Sequence, residues 1–377
     1  MKKYFYLFLI ITVSLISCQE KKETYTLKKT NKRLSFQLDS HTRNYPKSLF
    51  LYKDSNGDEY LTFQNPKKNE ILFYNINTEL LDFKTVYNIE GSNGVGFMWG
   101  YYIHNLDSIF ITSRDIPEIY LTNRDGIVLD KYLYETASDK TPLGIYCSIS
   151  FLSIPAILKE NKLYIMPSCN RHNSTNPICA TINLDTKEVK TLPYSYPIFP
   201  NTDNKMKRAG IELYVSRCYN GKDQFVYSFY FNEDLFIATT DHNNINKIKT
   251  KSSYFNKVIV PDDYGNMGFK EMCEISNYGN IYYDHYREVY YRIAYPKTEI
   301  DKNIKPLELM DFGRKNFSII ILDKDLNYIG ETIFPDFTYN STLLFIHKDG
   351  IYISNSHYLN PQYSDDKLEF VCFELTK

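Results

Sequence analysis

The C-terminal stretch FVCFELTK, residues 370–377, is an apolar strand that ends in a polar residue and has no second strand after it. Elsewhere in the chain the same pattern continues through a short turn into a returning strand. Its other copies are ILFYNINT (71–78), EIYLTNRDG (118–126), CATINLDTK (179–187), LFIATTDHN (235–243) and SIIILDKDL (318–326). Repetition at this scale is typical of β-propellers, in which each repeat is one four-stranded blade.

The spacing of the copies sets the number of blades. Their polar anchor residues are Asn75, Asn123, Asn183, Asp241, Asp323 and Glu374. The steps between them are 48, 60, 58, 82 and 51 residues, and four of the five suit one blade with long loops. We therefore predict six blades, with insertions at 255–272 and 296–316 inside the long step. Seven blades remain an alternative if that step contains one more.

The incomplete last copy needs a partner strand from elsewhere in the chain. Residues 24–39, TYTLKKTNKRLSFQLD, alternate in part and belong to no other copy. We expect this segment to supply the missing outer strand, because such closure removes the open edge of the last sheet. The predicted fold class is therefore all-β, a six-bladed β-propeller closed by its N-terminal strand.

The remaining sequence after residue 18 agrees with a fold made of strands. No run of 12 or more residues places apolar side chains at positions i, i+3, i+4 and i+7. Short apolar or alternating runs recur instead, separated by turn pairs such as Asn56-Gly57, Asp125-Gly126 and Asn220-Gly221. We predict that residues 24–377 form a single propeller domain.

The glycine-rich stretch EGSNGVG, residues 90–96, raises the question of phosphate binding. A phosphate-binding loop lies between a strand and a helix, whose N-terminus supplies amide groups. Here strand-like residues stand on both sides, at 83–89 and 97–103, and the spacing G-x-x-G-x-G is not the dinucleotide fingerprint. We predict that the glycines turn the chain from one blade into the next, where positive φ and close backbone approach are needed.

The N-terminus predicts export and lipid anchoring. Two lysines precede an apolar run at 4–16 that is too short for a membrane span. The run ends Leu15-Ile16-Ser17-Cys18, which resembles a bacterial lipobox, with ordinary secretion as the alternative. Residues 1–17 are thus predicted to be a lipoprotein signal peptide, Cys18 the lipidated residue and 18–23 a tether. Gln19 in place of Asp favours the outer membrane, on its periplasmic face or at the cell surface.

Charge and composition narrow the range of partners. The mature chain would carry a formal charge of 42 minus 45, or −3, and it contains no basic block. Nucleic acid is therefore a poor candidate partner. Aromatic residues make up 16% of the chain, and the 35 tyrosines favour strands. No motif predicts a cofactor.

The cysteines and the loop that holds two of them offer candidate chemistry. Six cysteines follow Cys18, at positions 147, 169, 179, 218, 273 and 372. Export permits disulfides, and Cys169 and Cys179 could join across one hairpin, an alternative that the sequence leaves open. These two cysteines and His172 are three potential ligands, whereas a structural zinc site needs four, so no metal is predicted. Arg171 and His172 remain candidates for contact with a ligand.

Three motifs give the chain a resemblance to a known family. They are EGSNGVG (90–96), NLDSIFI (105–111) and REVYYRIAYP (287–296). The chain resembles a family of exported lipoproteins from Gram-negative gut anaerobes, which is catalogued as a domain of unknown function and is similar to six-bladed β-propellers. The family usually has proline at the position of Ser92. The resemblance implies a propeller fold and an envelope location, and it implies no catalytic residues.

Further candidate binding residues are aromatic or ionisable. Trp99, the only tryptophan, follows the glycine stretch, and Tyr283, His285 and Arg287 belong to the run YYDHYR at 282–287. On an inner strand or a mouth loop such residues would offer ring faces beside hydrogen-bonding groups. The alternative is that the tyrosines fill the interfaces between blades. Arg292, within a predicted strand, is expected to have a buried partner.

These observations favour a binding or scaffold module of the cell envelope over an enzyme. Its partner would be a glycan, a peptide or another envelope protein, bound at the mouth of the ring where the loops gather. The alternative is a polysaccharide-degrading enzyme with its site over the propeller channel. Adjacent carboxylates such as Asp262 and Asp263 point to opposite faces of a strand and do not form a catalytic pair alone.

Overall fold

A computed structural model describes residues 24–144, 152–167, 176–197, 214–258 and 268–377. These residues form six antiparallel sheets of four strands each, which confirms the six-bladed β-propeller. Blade 1 contains β2 (Leu49–Lys53), β3 (Glu59–Asn65), β4 (Glu70–Asn75) and β5 (Leu81–Val86). Blade 2 contains β6 (Met98–Asn105), β7 (Ser108–Ser113), β8 (Glu118–Thr122) and β9 (Val128–Leu133). Blade 3 contains β10 (Ile157–Lys159), β11 (Lys162–Ile165), β12 (Ala180–Asn183) and β13 (Val189–Thr191).

The second half of the ring repeats this arrangement with one change of connectivity. Blade 4 contains β14 (Val215–Tyr219), β15 (Gln224–Phe229), β16 (Asp234–Thr239) and β17 (Ile245–Lys249). Blade 5 contains β18 (Asn277–Asp284), β19 (Val289–Tyr295), β20 (Phe317–Leu322) and β21 (Tyr328–Phe334). Blade 6 contains β22 (Asn340–His347), β23 (Gly350–Ser354), β24 (Lys367–Thr376) and, as its fourth strand, the N-terminal β1 (Thr26–Gln37).

The N-terminal strand closes the ring as the sequence predicts. β1 lies antiparallel to β24, with Thr26 opposite Thr376 at one end and Gln37 opposite Lys367 at the other. The last strand of the chain therefore has neighbours on both sides, β23 and β1, and presents no open edge. We call the paired β1 and β24 the seam.

The predicted repeat is the third strand of each blade with the turn that follows it. Within the first five blades the anchor side chain accepts hydrogen bonds from backbone amides two to four residues further on, as in an Asx turn. Asn75 Oδ1 accepts from Asn77 and Thr78, and Asn183 Oδ1 accepts from Asp185 and Thr186. Asn123, Asp241 and Asp323 make equivalent bonds. A short acceptor at this position starts each turn, which is why the repeat is visible in the sequence.

The core lies between the blades. One apolar layer joins blades 1 and 2, a second joins blades 2 and 3, and a third spans blades 3, 4 and 5. Two further layers join blade 5 to blade 6 and blade 6 to blade 1, and β1 contributes to both. The middle strands are buried on both faces, as in β20 with the sequence FSIIIL. Their apolar runs are therefore nearly continuous, whereas the outer strands expose side chains such as Leu129 and Leu133.

The long step in the repeat carries two short helices that the sequence did not predict. α1 (Phe269–Glu274) precedes β18, and α2 (Pro306–Phe312) lies between β19 and β20. Both fall in or at the predicted insertions, 255–272 and 296–316. With six and seven residues they are too short to show a helical apolar period. No helix in the described part of the chain is long and apolar enough to cross a membrane.

The glycine stretch at 90–96 turns the corner between blades 1 and 2. It lies between β5 and β6, and the element after it is a strand rather than a helix. Gly91 and Gly96 adopt φ of 93° and 70°, in the region that favours glycine. The Val95 amide donates to the Asn88 carbonyl at 2.9 Å, and the Val95 side chain is buried between the blades. The interpretation as a blade junction is confirmed.

Substitution of Gly94 by alanine is expected to lower the free energy of unfolding by about 1–3 kcal/mol. A Cβ atom there would lie 2.7 Å from the backbone carbon of Glu90 and 2.8 Å from the Ile89 carbonyl oxygen, so the turn must shift. Urea unfolding followed by circular dichroism measures the change. Gly268→Ala, where a Cβ atom meets nothing within 4 Å, is the control and should stay within about 0.5 kcal/mol. Equal losses in both variants would contradict the close-approach argument.

Two buried arginines connect neighbouring blades. Arg292 of β19 is fully buried and donates to the carbonyl oxygens of Asn232 at 2.7 Å and Glu233 at 2.9 Å in blade 4. Its guanidinium also lies 3.6 Å from the centre of the Tyr278 ring. The expectation of a buried partner is thus confirmed, with carbonyl oxygens in place of a carboxylate. Arg217 of β14 joins blade 4 to blade 3 through the carbonyl oxygens of Pro155 and Tyr164.

Candidate functional site

Loops from most of the blades meet at one end of the ring, which we call the mouth. Both the loops that connect one blade to the next and the loops between second and third strands lie there. Two adjoining clefts open between these loops, and both are lined by Tyr45, Pro46 and Lys47. These three residues belong to the segment that leads from the seam strand β1 into β2.

The first mouth cleft lies between blades 1 and 2 and has a volume of about 230 Å³. Its lining combines three cationic side chains with three aromatic rings and apolar or amide groups. The lining residues are Arg43, Tyr45, Pro46, Lys47, Gln64, Pro66, Phe97, Met98, Trp99 and Arg114. Such a surface offers flat apolar faces and positive charge to the same ligand.

The segment that carries Arg43, Tyr45 and Lys47 is held in place by its buried neighbours. Asn44, 2% exposed, donates from Nδ2 to the Ser364 carbonyl oxygen at 2.8 Å. The Thr42 hydroxyl donates to Asp39 Oδ1 at 2.7 Å, and Lys68 donates to the other carboxylate oxygen at 2.9 Å. These bonds, led by the one from Lys68, hold the pKa of Asp39 well below its usual range. The Asp39 carboxylate therefore keeps anchoring the segment in mildly acidic solution.

The rings of the first cleft are positioned by the glycine junction and by Asn69. Asn69 Nδ2 donates to the Gly96 carbonyl at 3.0 Å, and its Oδ1 accepts from the Met98 amide at 2.7 Å. Because these bonds fix the backbone on both sides of Phe97, that ring stays at the surface with 42% of its area exposed. Trp99 follows at the start of β6 and also lines the cleft.

The charges in the first cleft are only partly neutralised. Arg43 has no carboxylate partner among the described residues, and its guanidinium lies 5.5 Å from the centre of the Tyr45 ring. Arg114 pairs with Asp115 at 3.0 Å while lying 4.6 Å from the Phe97 ring centre. Lys47 approaches Asp311 at 3.9 Å with its side chain 72% exposed. The cleft is therefore suited to an anionic ligand.

The second mouth cleft lies over the centre of the ring and has a volume of about 270 Å³. It receives residues from blades 1, 3, 4, 5 and 6 and from α2. Its lining residues are Tyr45, Pro46, Lys47, Leu152, Ser153, Tyr230, Asn280, Met310, Asp311 and Thr342. Helix α2 also supports the first cleft, because the Phe312 ring packs 4.4 Å from the centre of the Tyr45 ring.

A hydrogen-bond chain fixes the polar floor of the second cleft. The Tyr230 hydroxyl donates to Asn280 Oδ1 at 2.6 Å, and Asn280 Nδ2 donates to the Tyr282 hydroxyl at 2.8 Å. Burial raises the pKa of both tyrosines far above its ordinary value, so these hydroxyls remain protonated. The floor therefore presents neutral groups to a ligand, and the charged residues that line this cleft are Lys47 and Asp311, the latter within α2.

The structure separates the residues that the sequence proposed for binding. Trp99 lines the first mouth cleft, whereas Arg171 and His172 lie outside the described residues. Tyr283, His285 and Arg287 lie where β18 ends, and the cleft residue Asn280 lies near its start. The β18–β19 turn is therefore at the end of the blade away from the mouth. A binding role for these three side chains remains a prediction about a different surface.

Contacts at that far end tie blade 5 to blade 6. Arg287 donates to Asp284 Oδ2 at 2.9 Å, to the His347 carbonyl at 3.2 Å and to the Lys348 carbonyl at 2.7 Å. Tyr283 packs against Tyr290, and His285 packs against its neighbour Tyr286. A role in joining two blades accounts for the position of Arg287.

The described cysteines are free and buried. Cys179, which the sequence left open to pairing with Cys169, has a free thiol that Arg217 approaches at 3.3 Å. Cys169 and Cys147 lie outside the described residues, as does Cys18. Burial raises the pKa of Cys179, Cys218, Cys273 and Cys372 above the ordinary thiol value, which keeps them protonated and weakly reactive.

Comparison with known proteins agrees with the fold. A family model for a domain of unknown function, DUF4221, matches residues 24–333. A crystal structure of a DUF4221 member from Bacteroides vulgatus ATCC 8482 is 26% identical, with a TM-score of 0.80 over 95% of this chain and 100% of that chain. A Bacteroides fragilis NCTC 9343 protein named as exported is 9% identical, with a TM-score of 0.54 over 95% and 97%, and shows the fold alone. No curated protein matches the sequence.

Proposed function

The chain belongs to the DUF4221 family of β-propellers, whose function is unknown, and from this premise we propose that it is a binding module of the cell envelope. Its ligand would lie in the two mouth clefts and would be an acidic glycan segment. The observation that carries the proposal is the first cleft, in which Arg43, Lys47 and Arg114 surround the rings of Tyr45, Phe97 and Trp99.

Aromatic faces and cations recognise different parts of the same sugar chain. The C–H faces of a pyranose ring pack on an aromatic ring, and a guanidinium or ammonium group binds the carboxylate or sulfate of an acidic sugar. The clefts meet at Tyr45, Pro46 and Lys47, so a ligand that continues from one into the other must contain more than one ring. A short acidic peptide is the competing ligand, and the binding experiment below distinguishes the two.

We propose binding in place of hydrolysis because the two clefts contain too few carboxylates for a glycoside hydrolase. Hydrolysis of glycosides uses two carboxyl groups on opposite sides of the scissile bond. Among the described residues that line the two clefts, Asp311 alone carries a carboxylate. The clefts hold more cationic side chains than acidic ones, which supports retention of an anion rather than acid catalysis.

The proposed location is the outer membrane, with a lipid on Cys18. The apolar run at 4–16 and the lipobox-like residues 15–18 support export and anchoring. The name of the similar Bacteroides fragilis protein describes that protein as exported, which is the coarser part of this proposal. Labelling with an alkyne fatty acid tests it, and a Cys18→Ser variant that still incorporates the label would contradict it.

Binding to acidic polysaccharides is expected to fall at least about tenfold in both Trp99→Ala and Arg43→Met, because each removes one of the two recognition elements. Calorimetry with pectin fragments, hyaluronan fragments and an acidic peptide measures the affinities, and product analysis of the same mixtures detects turnover. His285→Ala and Tyr286→Ala, at the far end of the ring, are the matched controls. Loss of binding in these controls but not in the mouth variants would contradict the proposal.

A further inference from the structure

A cavity beside the seam is separate from the mouth clefts. Its volume is about 310 Å³, and we call it the seam cavity. One lysine side chain, one arginine side chain and three side-chain amides surround it, together with Tyr339. The lining residues are Lys29, Arg33, Thr338, Tyr339, Asn355, Asn360, Pro361, Gln362 and Val371. None of them lines either mouth cleft.

The two faces of β1 explain why both cations reach this cavity. Successive side chains of a strand point to opposite faces. Leu27 belongs to the apolar layer between blades 5 and 6, whereas Leu34 and Phe36 belong to the layer between blades 6 and 1. Lys29, two residues after Leu27, and Arg33, one residue before Leu34, are therefore both on the face towards blade 5.

A bulge in the seam brings the two cations close together. Lys29 lies opposite Phe373 and Arg33 lies opposite Val371, so four steps along β1 match two steps along β24. The register shift between these pairs shortens the distance that separates the two side chains along the strand. Thr30, inside the bulge, donates to the Cys372 carbonyl at 3.1 Å and fixes its position.

Three side chains around the cavity, Lys29, Arg33 and Asn355, have groups without a partner among the described residues. Within the part of the chain that the structure describes, neither Lys29 nor Arg33 has a carboxylate partner, and Glu369 on the same face of β24 forms no ion pair with Arg33. Asn355 is only 7% exposed, and its Oδ1 accepts no hydrogen bond. A buried carbonyl oxygen without a donor is destabilising, so an added hydrogen bond to the Asn355 amide would be favourable.

We infer that the seam cavity binds a small hydroxylated anion, of the sugar-phosphate or sugar-acid class. The anionic group lies between Lys29 and Arg33, where two charge-assisted hydrogen bonds are available. A hydroxyl of the same ligand bonds the side-chain amide of Asn355, which lines the cavity, and Asn360 is held beside it by its bonds to the carbonyl oxygens of Thr338 and Asn355. The inference does not depend on the function proposed for the mouth.

Occupation of the cavity has a consequence for the whole ring. The ligand contacts β1, β24 and the loop after β23, so it is bound by the closed ring and not by a ring with an open seam. By mass action a ligand of the folded state alone raises the unfolding temperature. Ligand binding in the seam cavity can therefore be measured both as an affinity and as a rise in the unfolding temperature.

The test is calorimetry and thermal unfolding with glucose 6-phosphate, glucuronate, inorganic phosphate and glucose. We expect the first two to bind and to raise the unfolding temperature, with at least about tenfold weaker binding in Lys29→Met and in Arg33→Met. Asn355→Asp, of unchanged shape, should weaken binding as well because it places a negative charge against the anion. Lys28→Met, which removes a cation from the opposite face of β1, should bind as the unaltered chain does, and Arg43→Met is measured beside it to report any binding in the mouth.

Several results would overturn the inference. Absence of binding by glucose 6-phosphate and by glucuronate would do so directly. Equal weakening in Lys28→Met would show a diffuse charge effect in place of a cavity. Equal affinity for inorganic phosphate and glucose 6-phosphate would remove the role of Asn355, and a loss confined to Arg43→Met would assign the binding to the mouth.

Discussion

A chain that lacks residues 24–39 is expected to be unfolded or insoluble. The deletion removes β1 and with it four buried apolar side chains, Leu27, Leu34, Phe36 and Leu38. At about 1.5–3 kcal/mol for each buried side chain, the loss is about 6–12 kcal/mol. This equals the whole stability of an ordinary domain, about 5–15 kcal/mol. The deletion also exposes β24 as an edge strand, which promotes aggregation.

A rearranged chain separates loss of closure from loss of chain length. Thr26 lies opposite Thr376, so the start of β1 is beside the end of β24. A chain that begins at residue 41 and carries residues 24–40 after Lys377, joined through an Asn-Gly turn, can form β1 as the second strand of a hairpin. We expect this permuted chain to be soluble and to unfold cooperatively. Gel filtration and thermal unfolding compare the three proteins.

Two results would contradict closure of the ring by β1. If the chain without residues 24–39 stayed monomeric and unfolded at the same temperature as the complete one, β1 would be an appendage and not a part of the ring. If the permuted chain were as insoluble as the deleted one, pairing of β1 with β24 would not be what keeps the protein soluble, because the permuted chain restores that strand.

Replacement of Arg292 by methionine is expected to lower the free energy of unfolding by about 3–5 kcal/mol. Besides its bonds to the carbonyls of Asn232 and Glu233, the guanidinium donates to the Ser228 hydroxyl at 3.0 Å and to Thr250. The carbonyl oxygens of Asn232 and Thr250 would lose this donor, while the Glu233 carbonyl would keep its bond from the Thr250 amide at 3.1 Å. Burial lowers the pKa of Arg292 to about 10, so the side chain is still charged at neutral pH. Urea unfolding measures the loss.

Two further variants define what Arg292 contributes. Arg292→Lys should recover little of the stability, because an ammonium group cannot reproduce the planar fork that reaches carbonyl oxygens on both sides. Arg124→Met, which removes an exposed arginine 4.4 Å from the Phe83 ring centre, should cost less than about 1 kcal/mol. A loss below about 1 kcal/mol in Arg292→Met would show that water satisfies the carbonyls and that Arg292 does not join the blades.

The number of blades could be predicted because the signal for each blade is local. Each turn after a third strand needs a short acceptor side chain, and Asn75, Asn123 and Asn183 meet that need within four residues. Closure could also be predicted, because the last repeat has a third strand but no fourth strand after it. One sheet therefore needs its fourth strand from elsewhere in the chain. The two helices could not be predicted in the same way. Helix α2, for example, is stabilised by the contact of Phe312 with Tyr45, which is distant in sequence.

The mouth could be predicted only in part, because it is assembled from separate blades. Trp99 stands out in the sequence as the only tryptophan, whereas Arg43, Tyr45 and Lys47 belong to an ordinary polar loop whose location depends on the closed ring. Composition makes Tyr283, His285 and Arg287 candidates for ligand contact on an inner strand or a mouth loop, but it does not give their position. The direction of β18 places them at the other end, since the first strand of a blade starts at the mouth and runs away from it.

The seam also sets the order of events during synthesis. β1 is the first strand of the ring to be made, but its partner begins only at Lys367, roughly 330 residues later. At a translation rate of about 5–20 residues per second, the ribosome needs roughly 15–70 s to make that length of chain. Throughout this interval Leu34 and Phe36 have no strand to pair with. The nascent chain therefore carries an unpaired, partly apolar β1 until β24 has been made.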